Sequence, residues 1–161
     1  MDGEPSVPGS TIPGKCMYWG TSSTVPFAKH LGLELTDVGH GTATAKLPDE
    51  KTNSNHLGAQ HAGALFTAGD TASGAAVAGV FGQRILSLRT VVKDAQIQYL
   101  KLARGPILAN ATVSGDAKAI AKGVDTDGKA IFEVAVSLVD ENGDVVAQMT
   151  VNWHVSQREK K

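Results

Sequence analysis

The stretch from Asn55 to Phe81 decides the fold, and it reads Asn55-His-Leu-Gly58-Ala-Gln-His61-Ala-Gly63-Ala-Leu-Phe-Thr-Ala-Gly-Asp70-Thr-Ala-Ser-Gly-Ala-Ala-Val-Ala-Gly-Val-Phe81. From about residue 62 to 80 it is apolar nearly all round, which predicts a long helix that is buried on all sides. A lone carboxylate, Asp70, interrupts this run. Because burying an ionised carboxylate without partners is costly, such a residue is usually paired or functional.

The start of this helix is a favourable place for negative charge. His61-Ala62-Gly63 lies where the preceding polar loop ends, so the first N–H groups of the helix have no intrahelical partner. Together with the helix dipole they would stabilise an oxyanion, and Gly63 would let a ligand approach the backbone closely. Asp70 lies on nearly the same helix face, roughly 10 Å further along. That distance is too long for both groups of one chain to act on one small carbonyl, so the sequence indicates a symmetric dimer with two shared sites.

Length and composition exclude several classes of protein. The 161 residues fit one domain, and a net charge of −1 argues against a general nucleic-acid binder. The single cysteine, Cys16, excludes a disulfide within the chain and is typical of a reducing compartment. Polar residues interrupt the apolar run, which argues against a membrane span, and the first residues lack the basic and apolar stretches of a signal peptide. We therefore expect a cytoplasmic protein with no nucleic-acid or membrane partner.

The rest of the chain supplies strands that can wrap the helix. We expect an irregular arm at 1–24, a single domain at 25–156 and a charged tail at 157–161. A short helix is predicted at 25–31, and strand-like patterns occupy 33–47, 94–99, 107–121, 132–138 and 145–155. Asp127-Gly128 and Asn142-Gly143 are typical hairpin turns. The predicted fold class is α+β, with one long buried helix wrapped by a curled antiparallel sheet of about five to six strands.

The polar positions around the helix start follow the spacing of a known family. Asn55 is followed six residues later by His61-Ala62-Gly63, and Asp70 comes nine residues after His61. This pattern resembles the motif of hotdog-fold acyl-CoA thioesterases of the phenylacetate-degradation (PaaI-like) type, and Gly58 also fits. The later segment 93–105 resembles the family's next strand. The resemblance extends over about residues 25–155 and implies the hotdog fold.

The resemblance also implies an activity. In that family the Asp70-equivalent acts as general base or nucleophile on a thioester, and the backbone N–H at the Ala62 position polarises the thioester carbonyl. The Asn55-equivalent helps to place the carbonyl or the water from the partner chain. The family forms dimers or tetramers and uses no metal and no cofactor, coenzyme A being part of the substrate. The resemblance therefore implies hydrolysis of acyl-CoA or aryl-CoA thioesters.

Two positions depart from the family's pattern. Ala62 replaces the usual glycine, which keeps the N–H group but adds a methyl group beside the thioester. Val92 stands where some members carry a hydroxyl residue that assists the water, and related subfamilies of unknown activity share Ala-Gly-Ala-Leu-Phe at 62–66. A non-catalytic protein that binds acyl or aromatic ligands is therefore a second hypothesis. A hotdog hydratase or dehydratase is a third, and in it only His61 would serve beside a carboxylate.

Basic residues downstream of the helix form a second candidate site. They are Arg84, Arg89, Lys93, Lys101 and Arg104, with only Asp94 of opposite charge among them. They would receive the phosphates of coenzyme A, or they would form an ordinary solvated face. Lys93 and Lys101 are eight residues apart, which would place both on one face of a regular strand.

Each motif residue also has a purely structural interpretation. Asp70 would cap a helix that restarts at Thr71, His61 would bind a loop carbonyl, and Asn55 would be an ordinary turn residue. The remaining histidines are His30, His40, His56 and His154. They show no metal-ligand spacing with a nearby carboxylate or cysteine, so the sequence predicts no metal site.

Overall fold

Residues 25–159 are the part of the chain that the computed structural model describes. This part contains the helices α1 (Pro26–His30), α2 (Ala62–Phe81) and α3 (Ala117–Asp127). Its strands are β1 (Glu34–Val38), β2 (Thr42–Leu47), β3 (Leu88–Tyr99), β4 (Ile107–Val113), β5 (Lys129–Val139) and β6 (Val145–Gln157). Short 3₁₀ turns occupy Lys51–Asn53 and Gly82–Ser87. The predicted arm at 1–24, with Cys16, lies outside the described residues.

The six strands form one antiparallel sheet that curls around α2. The strand order is β1-β2-β4-β5-β6-β3, so β1 and β3 are the two edges. Every second residue of β4, from Ile107 to Val113, is buried against the helix side of the sheet, as expected for a strand with one core-facing side. The predicted α+β class, with one long helix wrapped by a curled antiparallel sheet, is confirmed.

Small residues let α2 lie very close to the sheet. A Cβ atom added at Gly69 would come within 2.5 Å of the sulfur of Met149, and one added at Gly79 would overlap the main-chain oxygen of Gly39. The helix packs mainly on β2, β4 and β5. By length and composition alone the segment Ala62–Ser87 could cross a membrane, but 67% of its apolar window is buried inside this fold. Core packing therefore accounts for its apolar composition.

The expectation that α2 is buried on all sides is wrong. Six residues on one side of the helix remain exposed or half-exposed, and they are Gly63, Phe66, Thr67, Asp70, Thr71 and Gly74. Their spacing of three and four residues places them on one face, which we call the open stripe. Since the sheet contacts α2 mainly from the opposite side, it leaves this face uncovered. Thr67, Asp70 and Thr71 mark this face in the sequence as polar interruptions of the apolar run, but their spacing alone does not show how far the sheet reaches around the helix.

The single long strand predicted at 107–121 is also wrong. The strand β4 ends at Val113, and α3 begins after Asp116, whose side chain accepts a hydrogen bond from the N–H of Lys118 at 3.0 Å. Alanine is the best helix former and is depleted in strands, so the alternation of alanines there carried no strand preference. The predicted hairpin at Asp127-Gly128 is instead the end of α3, with Gly128 in the left-handed conformation at φ +74°.

The remaining elements match the prediction with shifted bounds. The helix predicted at 25–31 is α1, and the strand-like stretch at 33–47 is the hairpin of β1 and β2. The turn at Asn142-Gly143 is confirmed, with Gly143 at φ +81°. Gln157, expected to begin the charged tail, is the last residue of β6, and its side chain donates to the main-chain oxygen of Val124 at 3.2 Å.

The close approach of α2 to the β1–β2 turn predicts opposite effects of two Gly→Ala changes. Gly79→Ala should lower the free energy of unfolding by about 1–3 kcal/mol, because the new methyl group meets the backbone of Gly39, which has little freedom to move. Gly123→Ala is the control. Gly123 lies inside α3 with no atom within 4 Å of an added Cβ, so this variant should gain about 0.5–1 kcal/mol. Urea unfolding at one protein concentration measures both, and equal stability of the two variants contradicts the close approach.

Candidate active site

The first turn of α2 has a backbone N–H group that makes no hydrogen bond to the described residues. His61 caps the helix, and its Nδ1 atom accepts a hydrogen bond from the N–H of Gly63 at 2.9 Å. The main-chain oxygen of His61 accepts the N–H of Leu65 at 3.0 Å. Within residues 25–159 the N–H of Ala62 has no hydrogen-bond partner. The group that sequence reasoning selected as oxyanion donor is therefore open to a ligand atom.

Tyr99, at the end of β3, contacts the same turn. Its hydroxyl donates a hydrogen bond to the main-chain oxygen of Ala62 at 3.0 Å, and burial raises the pKa of the phenol. Sequence reasoning missed this residue as part of the site. The strand pattern at 94–99 places the Tyr99 ring on the apolar face, but no local signal indicates that its hydroxyl reaches α2.

Asp70 lies on the open stripe of an unbroken helix. Because α2 is continuous from Ala62 to Phe81, the alternative in which Asp70 caps a helix restarting at Thr71 is wrong. The carboxylate makes no hydrogen bond or ion pair with any of the described residues, and only the main-chain oxygen of Asp70 is engaged, by the hydroxyl of Ser73 at 2.8 Å. Burial raises the pKa of the carboxyl above its ordinary value of 3.8, because loss of water disfavours the charged form. A desolvated, unpaired carboxylate is typical of a catalytic base.

Trp153 packs against α2 at Ser73 and Gly74, one turn beyond Asp70. Its Nε1 atom donates to the hydroxyl of Ser73 at 3.2 Å, and a Cβ atom added at Gly74 would stand 3.6 Å from its ring. Val92 is the direct cross-strand neighbour of Trp153, so both side chains point to the same side of the sheet. The structure therefore places Val92 on the side of the sheet that faces α2. Sequence reasoning did not identify Trp153 or Ser73.

Asn55 binds its own loop. The Oδ1 atom accepts the N–H groups of Leu57 at 2.9 Å and of Ala59 at 3.1 Å, and Nδ2 donates to the main-chain oxygen of Gln60 at 3.4 Å. Gly58 has φ +70°, a conformation that favours glycine. Within this one chain, Asn55 and Gly58 shape the turn that leads into α2.

A pocket of about 430 Å³ adjoins the first turn of α2. Its lining is mostly apolar and consists of Phe27, Leu31, Thr52, Asn53, His61, Gly63, Ala64, Phe66 and Thr67. Phe27 is 61% exposed and Phe66 is 37% exposed. Because Gly63, Phe66 and Thr67 also belong to the open stripe, the pocket and Asp70 lie on the same face of α2.

The basic residues downstream of α2 do not form one cluster. Arg84 pairs with Asp125 of α3, and Lys101 pairs with Asp144 at 2.8 Å. The expectation that Lys93 and Lys101 share a strand face is wrong, since β3 is bulged between Val92 and Asp94 and ends at Tyr99. Arg89 and Lys93 remain as exposed cations on the edge strand β3. Over residues 25–159, no group of three or more His, Cys, Asp or Glu side chains is placed to hold a metal ion.

Comparisons with known proteins identify a family and a fold. A family described as a domain of unknown function (DUF4442) matches residues 14–155, while a search of curated proteins gives no match. The Pseudomonas aeruginosa protein PA5026, described as of unknown function and a probable thioesterase, is 26% identical with a TM-score of 0.75, covering 85% of this chain and 91% of that chain.

Two further solved structures share the architecture at lower identity. Thioesterase HI1161 from Haemophilus influenzae is 17% identical with a TM-score of 0.67, covering 81% of this chain and 82% of that chain. A mutant of the phenylacetic acid degradation protein PaaI from Thermus thermophilus is 20% identical with a TM-score of 0.64, covering 80% of this chain and 97% of that chain. At these identities the likeness shows the fold alone, and it confirms the predicted hotdog fold.

The unpaired carboxylate predicts that Asp70→Asn stabilises the protein at neutral pH. Burial raises the pKa of Asp70 above 3.8 in the folded chain, so stability that is fully present below pH 3.8 is lost as pH rises through the raised pKa. Asparagine carries no charge and therefore avoids this loss of stability. A stabilising substitution of this kind is expected at a residue that serves function at a cost in stability. Thermal unfolding against pH should show the variant above wild type at neutral pH, with the gap closing toward acidic pH. A lower midpoint for the variant at neutral pH contradicts this account.

Proposed function

The chain belongs to the family described as a domain of unknown function (DUF4442), and from this premise we propose that it is a thioesterase hydrolysing acyl-CoA or aryl-CoA thioesters. Thioester hydrolysis in general is supported by PA5026, which is described as a probable thioesterase at 26% identity. The observation that carries the proposal is Asp70, a desolvated carboxylate on the open stripe of α2 with no hydrogen-bond or ion-pair partner among residues 25–159. The same helix begins at Ala62, whose N–H has no partner among the described residues.

In the proposed reaction the thioester oxygen accepts a hydrogen bond from the N–H of Ala62, and the helix dipole stabilises the charge that develops there. Asp70 removes a proton from water, which adds to the carbonyl carbon, or it attacks that carbon directly and water then hydrolyses the acyl-enzyme. The C–S bond breaks as the oxyanion collapses, and the coenzyme A thiolate leaves and takes up a proton. The raised pKa of Asp70 makes it a stronger base than an exposed aspartate.

The proposal needs two subunits. Asp70 and Ala62 of one chain lie roughly 12 Å apart along α2, too far to act on one carbonyl. We propose two surfaces that would pack against a second copy. They are the open stripe of α2 and the outer edge of β3, which pairs with no other strand among residues 25–159. Antiparallel packing of two α2 helices would bring Asp70 of the partner subunit beside the N–H of Ala62. We propose a homodimer with two shared sites, alone or paired into a tetramer, in the cytoplasm.

The pocket beside the first turn of α2 is proposed to hold the acyl or aryl group. It is lined mainly by apolar side chains, including Phe27, Leu31 and Phe66, and also by His61 and Gly63, the residues on either side of Ala62. Pockets of a few hundred Å³ accommodate ligands of this size. The coenzyme A part would remain outside, where Arg89 and Lys93 on β3 provide positive charge for its phosphates.

A non-catalytic protein that binds acyl groups is the second candidate, and the methyl group of Ala62 beside the proposed thioester position favours it. It predicts saturable binding without release of thiol. The hydratase or dehydratase hypothesis is weaker, because the Nδ1 atom of His61 is occupied by the N–H of Gly63. Measuring thiol release from a panel of acyl-CoAs with a thiol-reactive dye separates the first two candidates.

Asp70→Asn should lower kcat by about 10²–10⁴, because the variant loses its general base or nucleophile. Thiol release from the best acyl-CoA of the panel measures this loss, with size-exclusion chromatography to show an unchanged oligomer. Asp49→Asn, an exposed aspartate before the loop, is the matched control and should retain wild-type turnover. Unchanged turnover in the Asp70 variant would rule out the proposed role.

Phe27→Ala should alter substrate preference. Loss of one pocket wall should lower kcat/KM for octanoyl-CoA or phenylacetyl-CoA by about 10-fold, while acetyl-CoA, which does not reach Phe27, should be unaffected. Leu86→Ala, at the other end of α2 and 53% exposed, is the control and should leave both rates unchanged. An equal loss on short and long substrates contradicts the assignment of the pocket.

A further inference from the structure

The peptide group between Ala62 and Gly63 is held at both of its polar atoms. Its oxygen accepts a hydrogen bond from the hydroxyl of Tyr99 at 3.0 Å, and its N–H donates to the Nδ1 atom of His61 at 2.9 Å. Hydrogen bonds on both sides of one peptide polarise each other, which strengthens both. This peptide plane therefore has little freedom to rotate. The N–H of Ala62 belongs to the preceding peptide, which is joined to this one at the Cα atom of Ala62. Fixing the Ala62–Gly63 peptide therefore helps to fix the direction in which that N–H points.

The residue before His61 is fixed by the segment that follows Tyr99. The side-chain nitrogen of Gln60 donates to the main-chain oxygens of Pro48 at 3.0 Å and of Gly105 at 2.9 Å. Its backbone N–H donates to the main-chain oxygen of Ala103 at 2.8 Å. Since Gln60 is only 5% exposed, these bonds are shielded from water. The connection between β3 and β4 thus holds the start of α2 from both sides of Ala62.

Packing alone does not explain the position of the Tyr99 side chain. Its side chain is 48% exposed, so it buries less apolar area than the core residues of β3, yet its hydroxyl reaches the one peptide that adjoins the free N–H. Because the proton of that hydroxyl is already donated to Ala62, the hydroxyl cannot also donate it to a substrate.

We propose that Tyr99 is a positioning residue of the reaction, which keeps the N–H of Ala62 aimed at the thioester oxygen through its hydrogen bond to the Ala62 carbonyl. This inference rests on the proposed thioesterase function. Tyr99 is also the last residue of the edge strand β3, so the same hydrogen bond links the strand edge proposed to pair with a second subunit to the oxyanion donor.

Tyr99→Phe tests the proposal, since it removes the hydroxyl and leaves the ring. A small misplacement of a catalytic group is costly, so kcat should fall by about 10-fold while KM changes less than about twofold. Thr126→Val is the matched control, because it removes a hydroxyl that donates to a helix carbonyl, that of Lys122 at 3.1 Å in α3. It should leave kcat and KM unchanged.

A second measurement is independent of turnover. The Gly63 amide belongs to the peptide that Tyr99 binds, so its ¹H and ¹⁵N chemical shifts should move in Tyr99→Phe and stay in place in Thr126→Val. An unmoved Gly63 amide, or a kcat equal to that of wild type, overturns the role of Tyr99 while leaving the thioesterase proposal intact. If wild type itself releases no thiol from any acyl-CoA, the proposed function fails and the positioning role fails with it.

Discussion

The structure depends on the partial enclosure of one helix by one sheet. Six strands curl around α2, but the sheet contacts it mainly through β2, β4 and β5. Glycine and alanine on the buried face allow this contact to be close, as the overlap that a side chain at Gly79 would create demonstrates. The opposite face, the open stripe, stays uncovered and holds Asp70. A fold that enclosed the helix completely would bury this carboxylate beyond the reach of any substrate.

The same geometry divides the proposed site. The start of α2 provides the N–H of Ala62, which has no partner among residues 25–159, and the middle of the open stripe provides a carboxylate with a raised pKa. The two groups of one chain cannot act on the same carbonyl, because they are separated along the helix by roughly 12 Å. In the part of the chain that the structure describes, β3 is an edge strand of the same sheet, and Tyr99 connects this strand to the helix start. We therefore propose that β3 has two roles. Its outer edge pairs the subunits, and its last residue, Tyr99, orients the oxyanion donor.

Much of the fold follows from local patterns in the sequence. The apolar run predicted α2 almost to the residue, and alternation predicted most strands, because both signals arise from burial with a fixed period. The strand prediction is wrong in the second half of 107–121 because small alanines satisfy a strand pattern and a helix pattern equally well. The open stripe could not be predicted, since it is set by how far the sheet reaches around the helix and not by the helix's own composition.

Only the part of the candidate site that follows the motif spacing could be predicted from the sequence. Asp70 and the Ala62 N–H lie on one helix, so the sequence distance between them translates directly into a distance in space. Tyr99, Ser73 and Trp153 join the site through contacts between distant segments, and no local pattern encodes such contacts. The basic residues do not form the predicted cluster for a related reason. Arg84 and Lys101 form ion pairs with aspartates of other segments.

A mixing experiment tests the shared site most directly. Ala62→Pro removes the N–H donor while placing proline at the first position of α2, where proline is favoured and the extended backbone of His61 tolerates it. Asp70→Asn removes the carboxylate, so each variant alone should be inactive. If each site uses Asp70 of one subunit and Ala62 of the other, refolding the two variants together should restore roughly a quarter of wild-type turnover, because half of the dimers are mixed and each mixed dimer has one intact site. No restored turnover, despite mixed dimers shown by mass spectrometry, would contradict the shared site.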